Sequence, residues 1–348
     1  MLYTHAMKAG VVGASGYLGA ELLRLLADHR ELEVAVVQGE SSAGSAVAEQ
    51  YPSLVGAYGD LMVEPLDPDQ LDGLDAVFVA VPSGTSQGVV AALHGRTGLV
   101  VDLGADFRLK DAGAYPDWYG FEHSRPDLLA SAVYGLPELN REALQDAHLI
   151  AAPGCYVTAA CLALAPFVRG GHVERRGIVV DGLSGTSGAG KGLRADLHHP
   201  VANESLSAYG VLTHRHIPEM QQVLGAELIF TPHLAPMTRG ILATCYARTV
   251  PTDMGGVAST ADAIEVLADA YEAEPFVNVT PHLVSTAHAY GSNVAHLTAR
   301  YDERTGWLVV ICAIDNLVKG GSGQAIQAAN VALGLPEHLG LPRVGLAP

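Results

Sequence analysis

A glycine-rich turn near the start of the chain constrains the fold more than any other feature. The short apolar run 8–12 leads into Gly13, Gly16 and Gly19, spaced as GxxGxxG, and leucines at helical spacing follow. Glycines allow a tight turn and let N–H groups at a helix N-terminus approach a pyrophosphate. We therefore predict a strand, a dinucleotide-binding turn and a helix; an ordinary glycine-rich turn between strand and helix is the alternative.

Further apolar runs divide the chain into two halves of different texture. In the first half, helical segments separate runs at 32–37, 76–81 and 98–103, which is typical of a parallel sheet covered on both faces. After about residue 155, longer runs at 240–250 and 307–314 are rich in β-formers. We predict an α/β protein with a Rossmann-type doubly wound parallel sheet and a second α+β domain on a mostly antiparallel sheet.

Composition limits the kinds of partner and the location. A chain of 348 residues has room for about two domains. The excess of 37 Asp and Glu over 20 Lys and Arg argues against a nucleic-acid or anionic-membrane partner. Neither an apolar leader nor a stretch of about twenty apolar residues occurs, so we expect a cytoplasmic protein. The four cysteines lack CxxC spacing, so we expect no disulfides.

Cys155 differs from the other cysteines in its context. It follows Pro153 and Gly154 and precedes a helical run, and a thiol at a helix N-terminus has its thiolate stabilised. Cys161, Cys245 and Cys312 lie inside apolar runs and are expected in the core. Cys155 is therefore the candidate nucleophile.

The segment Thr213–Glu219 contains two histidines around an arginine. His214 or His216 can act as an acid/base partner for the cysteine. A metal site would need a third ligand from His198, His199 or His233; without acidic or cysteine ligands we predict no metal. Exposed loop histidines remain a further alternative in a chain with 15 of them.

Three other segments have polar groups suited to anions. Residues 185–192 nearly match a P-loop but end in Gly192 instead of Ser or Thr, so we expect a flexible active-site loop whose backbone donors can hold a phosphate. Arg108 follows a strand and can clamp an anion, or pair with Asp102 or Asp106. After the second strand, Glu40 suits a ribose hydroxyl, whereas Ser41 and Ser42 beside it can instead donate to a phosphate, so this segment leaves NAD and NADP open.

Taken together, ordered segments along almost the whole chain resemble the N-acetyl-γ-glutamyl-phosphate reductases of the semialdehyde dehydrogenase superfamily. The matching segments are VGASGYLGAELLRLL, DLGADFRL, VYGLPELN, IAAPGCYVTAACLALAP, SGTSGAGKG, HRHIPE, FTPHLAPMTRGIL and DNLVKGGSGQAIQAANVALGLPE. The resemblance implies an oxidoreductase of arginine biosynthesis that acts on an aldehyde group. Such an enzyme reduces N-acetyl-L-glutamyl 5-phosphate with NADPH, through a cysteine thioester, to the 5-semialdehyde and phosphate.

The resemblance also implies roles for individual residues. Cys155 is the nucleophile, and His216, with His214 beside it, is the acid/base; the resemblance leaves open which of the two carries the proton. Substrate-binding positions are Arg108, Arg215, Ser184, Gly185, Ser187 and Tyr209. Cofactor-binding positions are Gly13, Ser15, Gly16, Tyr17, Gly19, Ser41, Ser42, Pro82, Ser83, Gly188, Asn316 and Lys319. Residues 1–154 plus 315–348 would form the nucleotide-binding domain and 155–314 the catalytic and oligomerisation domain of a homodimer or homotetramer.

Departures from the family pattern and related enzymes leave alternatives. Glu40 stands where some members have Arg, so NAD is not excluded, and Ser83 replaces a frequent histidine. Ala152 stands where Asn is frequent before the Pro-Gly-Cys motif. The homologous reductases of carrier-bound aminoadipyl or glutamyl phosphate resemble this chain but have Asn where it has Tyr156. Aspartate-semialdehyde dehydrogenase lacks GCYVT and HRHxPE, and a non-catalytic dinucleotide sensor predicts a damaged Cys/His pair.

Overall fold

The computed structural model describes residues 6–346, which form two compact units. The first runs to Pro153 and includes Gly321–Leu341; the second comprises Gly154–Gly320 and the residues from Pro342 onward. Near the C-terminus, the two units divide at Gly320/Gly321 and Leu341/Pro342, whereas the resemblance implied a single boundary between residues 314 and 315. The carboxylate of Asp315 accepts the N–H of Gly291 at 2.8 Å, and the Pro342 carbonyl accepts the N–H of Asn293 at 2.8 Å, so both segments are bonded into the second unit.

The first unit contains a parallel sheet. Its strands, within the described residues, have the order β2-β1-β3-β4-β6-β5, and every neighbouring pair is parallel. In this sheet β2 lies on one side of β1 and β3 lies on the other, so the strand order changes direction at β1. This arrangement confirms the predicted doubly wound sheet. The strands are β1 Met7–Val12, β2 Leu32–Gln38, β3 Ala76–Val79, β4 Leu99–Asp102, β5 Val133–Tyr134 and β6 Leu149–Ala151.

Helices cover this sheet, and the strands between them are apolar because they are buried. Every residue of β3 and β4 is buried, which explains their continuous apolar runs. The helices are α1 Tyr17–Leu26, α2 Val47–Gln50, α3 Val55–Tyr58, α4 Ser86–Leu93, α5 Tyr115–Tyr119, α6 Pro126–Ser131 and α7 Pro137–Leu144, and a closing helix, Gly323–Ala332, follows a π-helical turn at Val318–Ser322.

The second unit is built on a mixed sheet. Its order is β11-β12-β13-β10-β7-β9-β8 within the described residues. The neighbouring strands are antiparallel except at β11/β12 and β7/β9, so the predicted mostly antiparallel sheet is confirmed. The strands are β7 Ile178–Gly185, β8 Ser207–Ala208, β9 Leu228–Ala235, β10 Ile241–Arg248, β11 Val277–Val279, β12 Ala295–Asp302 and β13 Trp307–Ile314.

One helix forms the centre of the second unit. Helix α8, Cys155–Arg169, packs on β10 and β13, and nearly all of its side chains after Cys155 are buried. Residues of β10 alternate between buried and half-buried, because one face of the sheet contacts this helix. The other helices of the second unit are α9 His199–Ala202, α10 His216–Leu224, α11 Thr260–Ala270 and α12 Thr286–Ala289. The closing helix of the first unit, Gly323–Ala332, is α13. None of the helices in residues 6–346 is long and apolar enough to cross a membrane.

Candidate active site

The glycine-rich turn joins β1 to α1 in the first unit. Gly13 has φ +87°, and a Cβ there would lie 2.7 Å from the carbonyl carbon of Ala80 and still closer to its oxygen. A Cβ on Gly19 would lie 2.6 Å from Ala14 Cα. Residues 17–20, the first turn of α1, are uncharged. The turn therefore needs glycine at both positions and presents a helix N-terminus suited to an anion.

Hydroxyl groups lie beside this turn at the end of β2. Glu40 and Ser41 are exposed, whereas Ser42 is buried and its Oγ has no hydrogen-bond partner among the described residues. A Cβ built on Gly39 would lie 2.9 Å from Ser42 Oγ and 3.6 Å from Ser15 Oγ, so both hydroxyl groups lie close to Gly39. Because a buried hydroxyl without a partner is costly, these residues fit a ligand with phosphate or ribose oxygens.

The predicted positions Pro82 and Ser83 lie in the turn between β3 and α4. The Asp106 carboxylate fixes this turn by accepting the N–H groups of Gly84 at 2.7 Å and Gln87 at 3.0 Å. Sequence reasoning assigned Asp106 no role beyond pairing with Arg108. Arg108 itself donates to the carbonyl of Leu103 at 3.0 Å.

A buried carboxyl group lies at the end of β4 in the same region. The Asp102 side chain is fully buried and accepts the N–H of Gly104 at 2.9 Å and the hydroxyl of Ser86 at 3.2 Å. Burial, together with the nearby charge of Asp106, raises the pKa of Asp102 to about 7. Asp102 therefore changes its charge close to neutral pH.

Cys155 is the first residue of α8 in the second unit. It is half-buried, whereas Cys161, Cys245 and Cys312 are fully buried as predicted. Burial raises the pKa of all three core thiols, that of Cys312 to about 12, so they are protonated at neutral pH. Cys155 thus combines partial accessibility with the N-terminus of a 15-residue helix.

Three groups pack closely around the start of α8. The N–H of Gly154 donates to Glu219 Oε1 at 2.9 Å, and the Glu219 side chain is fully buried. A Cβ on Gly154 would lie 2.7 Å from His216 Cδ2 and closer to Nε2, so the imidazole lies directly on this residue. A Cβ on Gly320 would lie 2.8 Å from Cys155 Cβ. The structure therefore brings His216 to the residue that precedes the thiol.

Glu219 is a site residue that sequence reasoning missed. It is three positions after His216 on α10, and residues at this spacing share one face of a helix. The three-residue spacing of His216 and Glu219 within HRHxPE is the sequence signal that could have identified Glu219.

The second histidine lies in an aromatic cluster with Tyr156, Tyr209 and Phe230. Its ring centroid is 5.3 Å to 6.0 Å from those three rings. Burial and the neighbouring Arg215 charge lower the pKa of His214 to about 4. Tyr209 donates to the Tyr156 hydroxyl at 3.5 Å, and Tyr156 donates to the carbonyl of His233 at 2.9 Å. The predicted position Tyr209 is therefore joined to the residue that follows Cys155.

The glycine-rich loop after β7 is bonded to the segment before β10. Its Gly185, Thr186 and Ser187 N–H groups donate to carbonyl oxygens at distances from 2.9 Å to 3.2 Å. The carbonyls of Gly240, Met237 and Thr238 thus already accept from these three groups, and the binding of a phosphate by this loop stays a prediction.

Asn316 also belongs to this loop region. Its Oδ1 accepts the N–H of Gly240 at 2.7 Å, and its Nδ2 donates to Ser187 Oγ at 3.0 Å. A Cβ on Gly188 would lie 2.8 Å from Ser184 Oγ and 3.7 Å from Asn316 Nδ2, so these predicted residues form one cluster. Lys319 is fully buried with its ammonium 5.5 Å from the Phe276 ring centroid.

Two of the three residues considered as a third metal ligand lie at the surface. His198 and His199 are exposed. Within residues 6–346, no group of three metal-ligand atoms includes a histidine. Arg215, the third predicted residue of the HRH segment, is also exposed.

Comparison with known proteins defines the class. Residues 8–147 match the semialdehyde dehydrogenase NAD binding domain, and residues 155–316 match the semialdehyde dehydrogenase dimerisation domain. Aspartate semialdehyde dehydrogenase II from Vibrio cholerae has the same fold, with a TM-score of 0.67, 16% identity and coverage of 94% of this chain and 98% of that one. The enzyme from Candida albicans, solved with NADP, gives a TM-score of 0.68 at 16% identity, with coverage of 94% and 98%. The molecule is a semialdehyde dehydrogenase in fold and domain composition.

Relatives at higher identity define the family. The N-acetyl-gamma-glutamyl-phosphate reductase of Moorella thermoacetica is 45% identical, over 98% of this chain and all of that protein. The reductase of Geobacter sp. (strain M21) is 46% identical, again over 98% of this chain and 100% of its own length. The chain belongs to the N-acetyl-γ-glutamyl-phosphate reductase family of oxidoreductases.

Proposed function

We propose that this chain catalyses the NADPH-dependent reduction of N-acetyl-L-glutamyl 5-phosphate to N-acetyl-L-glutamate 5-semialdehyde and phosphate, in arginine biosynthesis. The observation that carries this proposal is Cys155, half-buried at the first position of α8 with His216 packed on the preceding residue. The first unit would bind the nucleotide and the second would hold the reacting acyl group. The match to a dimerisation domain supports a homodimer or homotetramer.

The first step is acyl transfer to the thiol. The Cys155 thiolate attacks the γ-carbonyl carbon, a C–S bond forms, and the C–O bond to phosphate breaks with its electron pair. The helix N-terminus stabilises the thiolate before attack, and the His216 imidazole accepts the thiol proton. Inorganic phosphate leaves, and the acyl group remains as a thioester.

The second step reduces the thioester. The hydride for the thioester carbonyl carbon would come from the reduced nicotinamide, when that cofactor is bound. His216 then gives the proton it took from the thiol to the oxyanion, which forms the thiohemiacetal. It takes that proton back as the C–S bond breaks with its electron pair on sulfur, which releases the aldehyde and regenerates the thiolate. In the second unit, the cluster of Ser184, Ser187 and Asn316 would orient the reacting groups, with Tyr209 and Arg215 as further contacts for the substrate. Arg108 in the first unit is proposed to bind an anionic group.

The nucleotide would bind at the glycine turn of the first unit. Gly13, Gly16 and Gly19 allow close approach of the pyrophosphate, with Ser15 and Tyr17 at the start of α1 and Pro82 and Ser83 after β3. Ser41 and the buried hydroxyl of Ser42 support a 2′-phosphate, whereas the Glu40 carboxylate opposes it. We propose NADP as the cofactor, and the rates with NADP⁺ and NAD⁺ decide between the two.

The test is the reverse reaction with N-acetylglutamate semialdehyde, followed by the absorbance of the reduced cofactor. We expect oxidation that requires phosphate, and its loss in Cys155→Ser with nucleotide binding retained. Cys161→Ser is the matched control, because Cys161 is in the core of the same helix. Near-normal turnover by Cys155→Ser contradicts the thioester mechanism. Folded wild-type protein without activity would point instead to a carrier-bound substrate.

A further inference from the structure

The two histidines of the HRH segment have different surroundings, which separates their roles. We infer that His214 is a neutral positioning residue that holds His216 through its Nδ1 atom, and that His216 alone exchanges protons with Cys155 and the substrate. The part of this inference that concerns proton exchange rests on the proposed function.

A hydrogen bond connects the two residues. His214 Nδ1 accepts the backbone N–H of His216 at 3.1 Å. His216 is the first residue of α10, and the first N–H groups of a helix have no acceptor within the helix. A ring nitrogen that accepts an N–H has no proton of its own, so the neutral His214 ring holds its proton at Nε2. His214 therefore fixes the start of the helix that presents His216.

The surroundings of His214 also keep the ring in one place and uncharged. Its centroid lies 4.6 Å from that of His216, and the Tyr156, Tyr209 and Phe230 rings contact it edge-on. A second proton would have to sit at Nδ1, facing the His216 N–H. Within residues 6–346, its titratable and charged neighbours include the two tyrosines, His216 and Arg215, and Cys155 lies near both tyrosines. Burial raises the pKa of both tyrosines, so they are neutral. The Arg215 charge opposes a cationic ring, in agreement with the lowered pKa of His214.

His216 lies where a proton carrier is needed. Its ring packs on Gly154, beside the nucleophile, and the Gly154 N–H is bonded to Glu219 from the next turn of the same helix. Helix α10 thus contacts the start of α8 through two side chains. A shift at the start of α10 would move the His216 imidazole relative to the thiol.

Two substitutions of His214 test the roles of its two ring nitrogen atoms separately. Asn places an oxygen near the position of Nδ1 and can accept the His216 N–H, whereas Gln places its amide nitrogen near the position of Nε2 and cannot. We expect kcat/KM of His214→Asn to stay within about threefold of wild type, and that of His214→Gln to fall about tenfold, the factor for one hydrogen bond. The decrease of kcat/KM at low pH, the acid limb of its pH profile, should persist in both variants and disappear in His216→Asn. The reverse order of the two variants, or loss of the acid limb in His214→Asn, overturns the inference.

A second readout does not require activity. In protein with ¹⁵N-labelled imidazoles, the signals missing from His214→Asn identify His214, and its two nitrogen shifts report the tautomer. We expect the neutral Nε2–H form throughout the range from about pH 5.5 to about pH 8, where an ordinary histidine titrates. A cationic His214 at about pH 6 overturns the inference. If wild type lacks phosphate-dependent oxidation, the proposed function fails, while the spectrum still determines the state of His214.

Discussion

Gly154→Ala tests the close packing of His216 on the residue before the nucleophile. Gly154 has φ −68° and ψ 145°, which alanine adopts without strain, and its N–H bond to Glu219 does not depend on the side chain. The added Cβ would lie 2.7 Å from His216 Cδ2 and 2.8 Å from Cε1. Ordinary contact begins near 3.4 Å, so the imidazole must move by roughly 1 Å.

The expected effect is mainly on catalysis. A misplacement of about 1 Å costs about 100-fold in rate, while overpacking costs about 1–3 kcal/mol of folding stability. We would measure kcat/KM of the reverse reaction together with urea unfolding. Gly56→Ala is the control, because a Cβ there meets nothing within 4 Å. A folded Gly154→Ala protein whose kcat/KM stays within about threefold of wild type would refute the placement of His216.

Two further predictions concern the first unit. Because the pKa of Asp102 is raised, the folded protein keeps a proton between about pH 4 and about pH 7 that the unfolded chain releases. The free energy of unfolding therefore falls by about 1.4 kcal/mol per pH unit as the pH rises through this range. Asp102→Asn should remove this decline in urea unfolding at pH values across that range, and an unchanged pH dependence would contradict it. Glu40→Arg should raise the NADP⁺/NAD⁺ ratio of kcat/KM by about tenfold or more, because a guanidinium pairs with a 2′-phosphate; an unchanged ratio would place Glu40 away from the nucleotide.

The sequence predicts the sheets well because burial leaves a pattern along each strand. β13 spans Trp307–Ile314, the same residues as the apolar run, and β3 and β4 appear as continuous apolar runs because both faces are covered. The strands that sequence reasoning missed in the first unit, β5 and β6, have two and three residues, too few for a periodic pattern.

The site is predicted less completely, because its decisive contacts join distant residues. The bond from Gly154 to Glu219 spans 65 positions, and no local pattern indicates it. The N–H groups of the loop 185–187 look available in the sequence, but tertiary contacts with the segment before β10 occupy them. In the sequence, the two imidazoles of the HRH segment look equivalent. In the structure they differ, because different rings and a helix terminus pack around them.

Mass spectrometry of the enzyme mixed with N-acetylglutamyl phosphate, without nucleotide, tests the central claim most directly. We predict a mass increase of one N-acetylglutamyl group, located on the peptide that contains Cys155, absent in Cys155→Ser and lost when inorganic phosphate is added in excess. An active enzyme that shows no acyl adduct, or an adduct on a different residue, would contradict the account.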